Sequence, residues 1–235
     1  MGTMTDINTA FRELDAVLRQ RTSFGRITTL YDEADCFRLF LKTGQSLVPG
    51  FVIDEENRFV YENLLRWVDG RPFQCLDPFT GDVIPGDVEK GVYLCGPTGS
   101  GKTTLLEVLR YYSRAVMNNC YLNGNKTIML WKTRRAETIC NTFATTGDIM
   151  AYYNERLLCI DDIGTEPKES NYMGNRLEVI KSILETRGDT QNQITLLTSN
   201  FRIKEGIYGE RVTSRLCKMC NYFELIHKDW RKNNV

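Results

Sequence analysis

The chain has 235 residues, of which 42% are hydrophobic and 26% are charged, as in an ordinary globular protein. Its 30 basic and 30 acidic side chains cancel, so no overall charge attracts nucleic acid. The sequence has no apolar run of the roughly 20 residues that a membrane span needs, and no secretory signal at its start. We therefore expect a cytoplasmic protein without membrane contact.

Eight cysteines are scattered along the chain, and Cys95 and Cys159 lie in predicted buried strands. This distribution favours reduced thiols over a disulfide framework. Cys217 and Cys220 form one CxxC pair, which is either packed in the core or part of a metal site. A zinc site needs about four ligands. Since His227 is the only histidine, core packing is the favoured interpretation.

Two amphipathic helices are predicted in a short N-terminal extension. Residues 5–21 and residues 30–41 each carry one apolar face, formed by Ile7, Phe11, Leu14 and Leu18 in the first and by Leu30, Ala34, Phe37 and Leu41 in the second. These faces either pack on the main domain or dock a partner protein. Pro49-Gly50 then breaks the pattern, and a helix is predicted over Asn57–Val68. We place the extension at residues 1–45 and the main domain at residues 46–235.

The strongest motif is the sequence GPTGSGKT, which fits the P-loop pattern G-x-x-x-x-G-K-[ST] at every fixed position. An apolar strand precedes it and a helix follows, so the backbone N–H groups and the helix dipole converge on phosphate oxygens. Lys102 is expected to reach the β- and γ-phosphates of ATP, and the Thr103 hydroxyl to bind Mg²⁺. The predicted phosphate-binding residues are Gly96, Pro97, Thr98, Gly99, Ser100, Gly101, Lys102, Thr103 and Thr104.

From Gly91 onward, predicted strands and helices alternate, which is typical of an α/β fold with a parallel sheet. The predicted strands are Val92–Cys95, Thr127–Trp131, Leu157–Asp161, Ile194–Ser199 and Tyr222–Ile226. The predicted helices cover residues 103–117, 134–152, 172–187 and 205–219.

Two of these strands end in polar residues of the kind that a P-loop ATPase needs. The run LLCIDD places Asp161 where it can hold Mg²⁺ and Asp162 where it can activate the attacking water. The run ITLLTSN places Asn200 at the same edge of the sheet, where it can hold that water. An exposed turn in the first case and a simple cap in the second are the alternatives.

Three arginines are candidates for stabilising the transferred phosphoryl group. Arg211 and Arg215 lie four residues apart on one helical face, and an arginine supplied by a neighbouring subunit can neutralise the developing charge. The alternative is an ordinary salt bridge. Arg231, near the basic C-terminus, is either a γ-phosphate sensor or part of a solvated tail. Lys132–Arg135 is either a contact to single-stranded DNA or a solvated face.

In this order, the motifs GPTGSGKT, LLCIDDIGTE, LLTSN and YGERVTSRL resemble the DnaC/IstB-like branch of AAA+ ATPases, over about residues 50–235. The resemblance implies a three-layer αβα sandwich with a parallel sheet, and ATP hydrolysis with Mg²⁺. It also implies that Asp54–Asn57 lie near the adenine. The resemblance also implies that Asn200 is the sensor 1 residue and that Arg231 is sensor 2. It makes Arg215 the arginine finger, with Arg211 as second choice.

Members of this branch load replicative helicases or assist transposition, so the resemblance implies a helicase loader, with a transposition helper as the alternative. The implied partners are further copies of the chain, a replicative helicase or transposase, and single-stranded DNA. The cysteine-rich zinc segment of some loaders is absent, since only Cys36 and Cys75 precede the strand before the P-loop. Two other classes stay open: a small-molecule P-loop kinase, and an adaptor that binds ATP without hydrolysing it.

Overall fold

The computed structural model describes residues 24–122, 125–190 and 193–226. The predicted helix over residues 5–21, and Arg231 near the C-terminus, lie outside the described residues. The described helices are α1 (Glu33–Leu47), α2 (Arg58–Val68), α3 (Lys102–Ala115), α4 (Ala136–Thr146), α5 (Met150–Asn154), α6 (Val179–Asp189) and α7 (Glu210–Met219). The described strands are β1 (Phe24–Arg26), β2 (Gln74–Leu76), β3 (Val83–Pro85), β4 (Gly91–Cys95), β5 (Asn119–Leu122), β6 (Asn125–Ile128), β7 (Lys132–Arg135), β8 (Leu157–Ile163), β9 (Ser170–Tyr172), β10 (Asn175–Leu177), β11 (Ile194–Ser199) and β12 (Cys220–Glu224).

A seven-stranded sheet forms the centre of the fold, in the order β3-β2-β12-β4-β11-β8-β7. The five strands from β12 to β7 are parallel, and β2 and β3 add an antiparallel hairpin at one edge. The predicted α/β fold with a parallel sheet is therefore confirmed. The carboxyl ends of β4, β8 and β11 meet at one edge of the sheet, because these strands are parallel neighbours.

Helices cover both faces of this sheet, which makes the fold a three-layer sandwich. Strand β4 illustrates the division, because Val92 and Leu94 join the core beneath α1, α2 and α3. Tyr93 and Cys95 point the other way, into the core beneath α4, α6 and α7. A strand buried on both faces reads as a continuous apolar run. That is why the buried strands could be recognised in the sequence.

The predicted second strand, Thr127–Trp131, is wrong. The chain pairs there as β6, which ends at Ile128 and belongs to a small separate sheet with β5 and β1. The strand that joins the central sheet is β7, formed by the polar residues Lys132–Arg135 at the sheet edge. An edge strand that is largely exposed needs no apolar pattern. Met129 and Trp131 are buried in the core between these two strands.

Three predicted helices differ from the observed ones in where they begin or end. Residues 134–152 are divided, because Gly147 adopts a left-handed conformation (φ 73°) that terminates α4. Residues 170–177 form the β9–β10 hairpin, with Met173 and Gly174 both at positive φ as a two-residue hairpin turn requires. Helix α7 begins later than predicted, after a 3₁₀ turn at Ile203–Glu205 and the positive-φ Gly209.

The segment before the main domain packs on it. Asp32 caps α1 by accepting a 2.8 Å hydrogen bond from the amide of Ala34. Cys36 and Phe40 on this helix are buried in the core shared with α2 and α3. The boundary that we predict near residue 45 lies within the last turn of α1. The second amphipathic segment therefore packs on the main domain, but the predicted apolar face is only partly correct. Phe37 and Leu41 are half-buried, whereas Leu30 and Ala34 are exposed.

Candidate nucleotide-binding site

The P-loop connects β4 to α3 through a backbone that favours glycine at two positions. Gly99 and Gly101 have φ angles of 81° and 89°. At Gly96 the constraint is space, since a Cβ atom there would lie 2.3 Å from the carbonyl oxygen of Leu225. The loop therefore keeps its path between β4 and β12 only with glycine at these places.

Lys102 opens helix α3, and its side chain turns back over the loop. The ammonium donates hydrogen bonds to the carbonyl oxygens of Gly96 (2.7 Å) and Pro97 (2.9 Å). It also donates to Oδ1 of Asn200 at 2.9 Å. Asn200 follows strand β11, so the two predicted residues, 98 positions apart, meet at the same sheet edge. The ammonium therefore links the P-loop to the end of β11.

A buried oxygen cluster lies beside the lysine. The Thr103 hydroxyl donates to Oδ1 of Asp161 at 2.6 Å, and the Thr198 hydroxyl donates to the same oxygen at 2.7 Å. Asp161 is only 4% exposed. A hydroxyl and a carboxylate are the ligand types that Mg²⁺ prefers. Thr198 is not among the predicted site residues, although it stands two residues before Asn200 at the end of a buried strand.

Asp162 has a backbone conformation that is rare for its residue type. Its φ angle is 62°, which costs about 1–3 kcal/mol in a residue other than glycine. Two hydrogen bonds hold it there: its amide donates to the Thr198 hydroxyl at 2.8 Å, and its carbonyl accepts from the Thr165 hydroxyl at 2.8 Å. The carboxylate lines the same cleft as Lys102. Thr198 thus joins both predicted acidic residues.

A cleft of about 270 Å³ brings most of the predicted site residues together. Of these, the ones that line it are Thr98, Gly99, Gly101, Lys102, Thr103, Thr104, Asp161, Asp162 and Asn200. Gly96, Pro97 and Ser100 do not line the cleft, and the carbonyls of the first two hold Lys102.

Part of the lining of the cleft is apolar. Residues 48–52 and Tyr61 line it, with the Phe51 and Tyr61 rings stacked at 5.6 Å between centroids. Burial raises the pKa of Tyr61 to about 12, so its hydroxyl stays protonated. Asp54–Asn57, which the resemblance places near the adenine, do not line the cleft. They form the turn before α2, where the amide of Asn57 donates to the Asp54 carboxylate at 3.0 Å.

Arg135 lies in the cleft, although the sequence places it in the basic group Lys132–Arg135. It ends strand β7 directly opposite Asp161 on β8, and it lines the cleft with an exposed side chain. It forms no hydrogen bond or ion pair with the described part of the chain. The basic group Lys132–Arg135 is not one patch, because Lys132 is paired with Glu155 at 2.7 Å.

The two arginines of α7 do not reach the cleft of their own chain. Arg215 forms a two-pronged ion pair with Asp189 of α6, at 3.0 and 2.8 Å, and its side chain is 18% exposed. Arg211 is 68% exposed and lies 3.8 Å from Glu185. Within one chain, the salt-bridge interpretation therefore holds for both. A role in trans concerns a second copy, which these contacts do not test.

The CxxC pair spans the junction of two elements, with Cys217 in α7 and Cys220 at the start of β12. Burial raises the pKa of Cys217, and that of Cys220 to about 12, which favours neutral thiols. All eight cysteines are free. Within the described ranges, no group of three or more His, Cys, Asp or Glu residues could hold a metal ion by itself.

None of the described helices combines the length and the apolar character that a membrane span requires.

The fold and the site together define a class of protein. One strand, β11, separates the P-loop strand β4 from the acidic strand β8, and the cleft at their carboxyl ends gathers a lysine, a threonine, two aspartates and an asparagine. This arrangement is that of an α/β P-loop fold with a polar cleft at the carboxyl edge of its parallel strands.

Solved structures with a related fold come from DnaA and DnaC proteins. DnaA from Aquifex aeolicus, bound to AMPPCP, aligns with a TM-score of 0.48 and 18% identity over 77% of this chain, which spans 50% of that DnaA chain. A DnaC helicase loader aligns with a TM-score of 0.49 and 15% identity, over 79% of this chain and 98% of that one. Domain III of the Thermotoga maritima replication initiation protein DnaA aligns with a TM-score of 0.46 and 18% identity, over 74% and 64%.

No protein-family model and no curated protein sequence matches the chain. The solved structures include a DnaC helicase loader, but their TM-scores lie below 0.5 and their identities at 15–18%. The chemistry has to be argued from the residues of this chain.

Proposed function

We propose that this chain is an ATP-hydrolysing AAA+ protein that acts as a replicative-helicase loader. The observation that carries the ATPase part is the meeting of Lys102, Thr103, Asp161, Asp162 and Asn200 at one cleft. The loader part depends on the order of motifs shared with DnaC/IstB-like proteins. Free cysteines that are buried or half-buried favour the reducing cytoplasm as the place of action.

The cleft residues divide the work of hydrolysis among them. Lys102 exchanges its protein partners for β- and γ-phosphate oxygens and neutralises their charge. Asn200 holds the attacking water, and Asp162 accepts its proton. Thr103 and Asp161, whose oxygens already lie 2.6 Å apart, would hold Mg²⁺. When bound, that ion would supply positive charge that offsets the negative charge of the phosphates.

Two further parts of the cleft contact the nucleotide in this proposal. The apolar lining formed by residues 48–52 and Tyr61 receives the adenine. Aromatic and aliphatic side chains pack favourably against the flat purine ring and exclude water from it. Arg135 adds a second positive charge beside Asp161 and binds a phosphate oxygen. These contacts make ATP, rather than a phosphate ion alone, the fitting ligand.

Assembly would complete the site. We propose that a neighbouring copy supplies an arginine from α7, with Arg215 as first choice and Arg211 as second. Arg215 would have to exchange Asp189 for phosphate. Water can screen this pair from the side of Asp189, whose side chain is 59% exposed. Arg211 is already more exposed. Arg231, proposed as sensor 2, lies outside the described residues.

The test of the ATPase part is hydrolysis by the purified chain, compared with Lys102→Ala and Asp162→Asn. We expect Lys102→Ala to lose nucleotide binding, and Asp162→Asn to bind ATP but to hydrolyse it at least about a hundredfold more slowly. Equal single-turnover traces for wild type and Asp162→Asn would favour an adaptor. Turnover that requires a small phosphate acceptor would favour a kinase.

The loader part needs a test with partners. We expect the chain to bind the host's replicative helicase in the presence of ATP or a slowly hydrolysed analogue, and its ATPase to be stimulated by single-stranded DNA. The Lys102→Ala variant serves as the control for nucleotide-dependent binding. Binding to a transposase, without binding to the helicase, would instead establish a transposition helper.

A further inference from the structure

The turn after β8 is fastened by a glutamate that lies outside the cleft. Glu166 accepts a 2.7 Å hydrogen bond from the amide of Gly164 through one carboxylate oxygen. Its other oxygen accepts a short hydrogen bond from the hydroxyl of Tyr208. Both oxygens of this carboxylate are thus engaged, one by the turn that follows Asp162 and one by the loop that leads into α7.

The same turn is packed against two other segments of the site. A Cβ atom on Gly164 would lie 2.7 Å from side-chain atoms of Phe201 and of Ile207. Phe201 directly follows Asn200, and Ile207 directly precedes Tyr208. The position of Gly164 is therefore fixed against the residue after the candidate water-holding asparagine and against the approach to α7.

Asp162 depends on this turn for its orientation. Its left-handed conformation (φ 62°) leads into Gly164, which is also at positive φ (92°). The Thr165 hydroxyl closes the turn by donating to the Asp162 carbonyl at 2.8 Å. Releasing the Gly164 amide from Glu166 would remove one restraint on a conformation that is unfavourable by itself. Thr165, Thr198 and the pairing of Ile163 with Ser199 would remain.

We infer that Glu166 and Tyr208 are positioning residues for Asp162, and that they couple its orientation to helix α7. This inference rests on the proposed ATPase function. Tyr208 lies two residues before α7, the helix that carries Arg211 and Arg215. Movement of α7 during assembly would pull on Glu166 through Tyr208 and turn the carboxylate of Asp162. Burial raises the pKa of Tyr208, so its hydroxyl keeps the proton that it donates.

The experiment compares Glu166→Ala, Glu166→Gln and Tyr208→Phe in the full chain. We expect Glu166→Ala to lower kcat about ten- to hundredfold, because small misplacements of a catalytic group are costly, while the affinity for a fluorescent ATP analogue stays unchanged. Glu166→Gln should retain most of kcat, because its amide oxygen can accept from Gly164 and its NH₂ can donate to Tyr208. Tyr208→Phe should lower kcat by a smaller factor.

Two matched controls separate positioning from general destabilisation. Glu169→Ala removes the same charge from an exposed position three residues further on. Tyr153→Phe removes a tyrosine hydroxyl that is hydrogen-bonded to Ser182 at 2.8 Å, away from the cleft. Both should keep wild-type kcat. If Glu166→Ala does not fold, Tyr208→Phe against Tyr153→Phe decides the question.

The inference is overturned if Glu166→Ala turns over ATP as fast as Glu169→Ala, or if Glu166→Gln is as slow as Glu166→Ala. Asp162→Asn keeps this failure distinct from that of the proposed function. If Glu166→Ala turns over ATP rapidly and Asp162→Asn does not, only the positioning role is refuted. A wild-type chain that binds ATP and hydrolyses none refutes the proposed ATPase and this inference with it.

Discussion

Replacing Thr198 by valine tests the site, because valine has nearly the same shape but carries a methyl group in place of the hydroxyl. The hydroxyl of Thr198 is fully buried and has two partners, since it donates to Asp161 at 2.7 Å and accepts from the Asp162 amide at 2.8 Å. Valine cannot make either bond. The substitution therefore loosens both acidic residues without removing a charge.

The expected magnitude follows from these two contacts. A buried donor that loses its acceptor costs about 1–3 kcal/mol, and Asp162 would be left with such an amide. Asp161 keeps its bond from Thr103, so its share of the loss is smaller. We expect the free energy of unfolding to fall by about 2 kcal/mol. Loss of a group that orients a metal ligand also lowers activity about ten- to hundredfold.

The assay combines urea unfolding with ATP turnover, expressed per folded molecule. Thr195→Val is the matched control, because Thr195 is buried in the same strand and its hydroxyl accepts from Arg187 at 2.8 Å, away from the cleft. It should lose stability yet keep its turnover. Thr198→Ser should restore turnover, since it retains the hydroxyl. The reasoning is refuted if Thr198→Val and Thr195→Val turn over ATP equally well.

Three further substitutions test other parts of the site. Arg135→Ala should weaken ATP binding about ten- to hundredfold, since a hydrogen bond to a charged group contributes about 1.5–3 kcal/mol. Arg134→Ala should not, and titration with a fluorescent ATP analogue measures both. Gly96→Ala should abolish nucleotide binding and lower the melting temperature, because its Cβ would meet the Leu225 carbonyl oxygen at 2.3 Å. Arg215→Ala should reduce turnover by about 10³ at protein concentrations that permit assembly, and by much less in dilute solution. Unchanged turnover at every concentration would contradict the role in trans.

The buried strands and the residues at their ends could be predicted from the sequence. Strands β4, β8 and β11 are apolar runs covered on both faces, and each begins and ends within about two residues of its predicted bounds. Because such strands are parallel, their carboxyl ends come together, and Lys102, Asp161 and Asn200 meet as expected. Here a local pattern and a general rule of topology were sufficient.

The edge strand and the connecting segments could not be predicted in the same way. Strand β7 consists of polar residues and owes its conformation to pairing with β8, a contact between residues 26 positions apart. Arg135 was therefore grouped with its neighbours in sequence rather than with Asp161, its neighbour across the sheet. Thr198 was overlooked for a related reason, since a hydroxyl in a strand shows its role only through its partners.

The ammonium of Lys102 has a consequence for the exchange of nucleotide. Three protein oxygens, from Gly96, Pro97 and Asn200, surround this nearly buried cation. A buried charge is tolerated only when such partners are present. The chain can therefore release a nucleotide without leaving the lysine uncompensated. In the proposed mechanism, a triphosphate takes the place of Asn200 on the lysine, and the asparagine is then free to hold the attacking water.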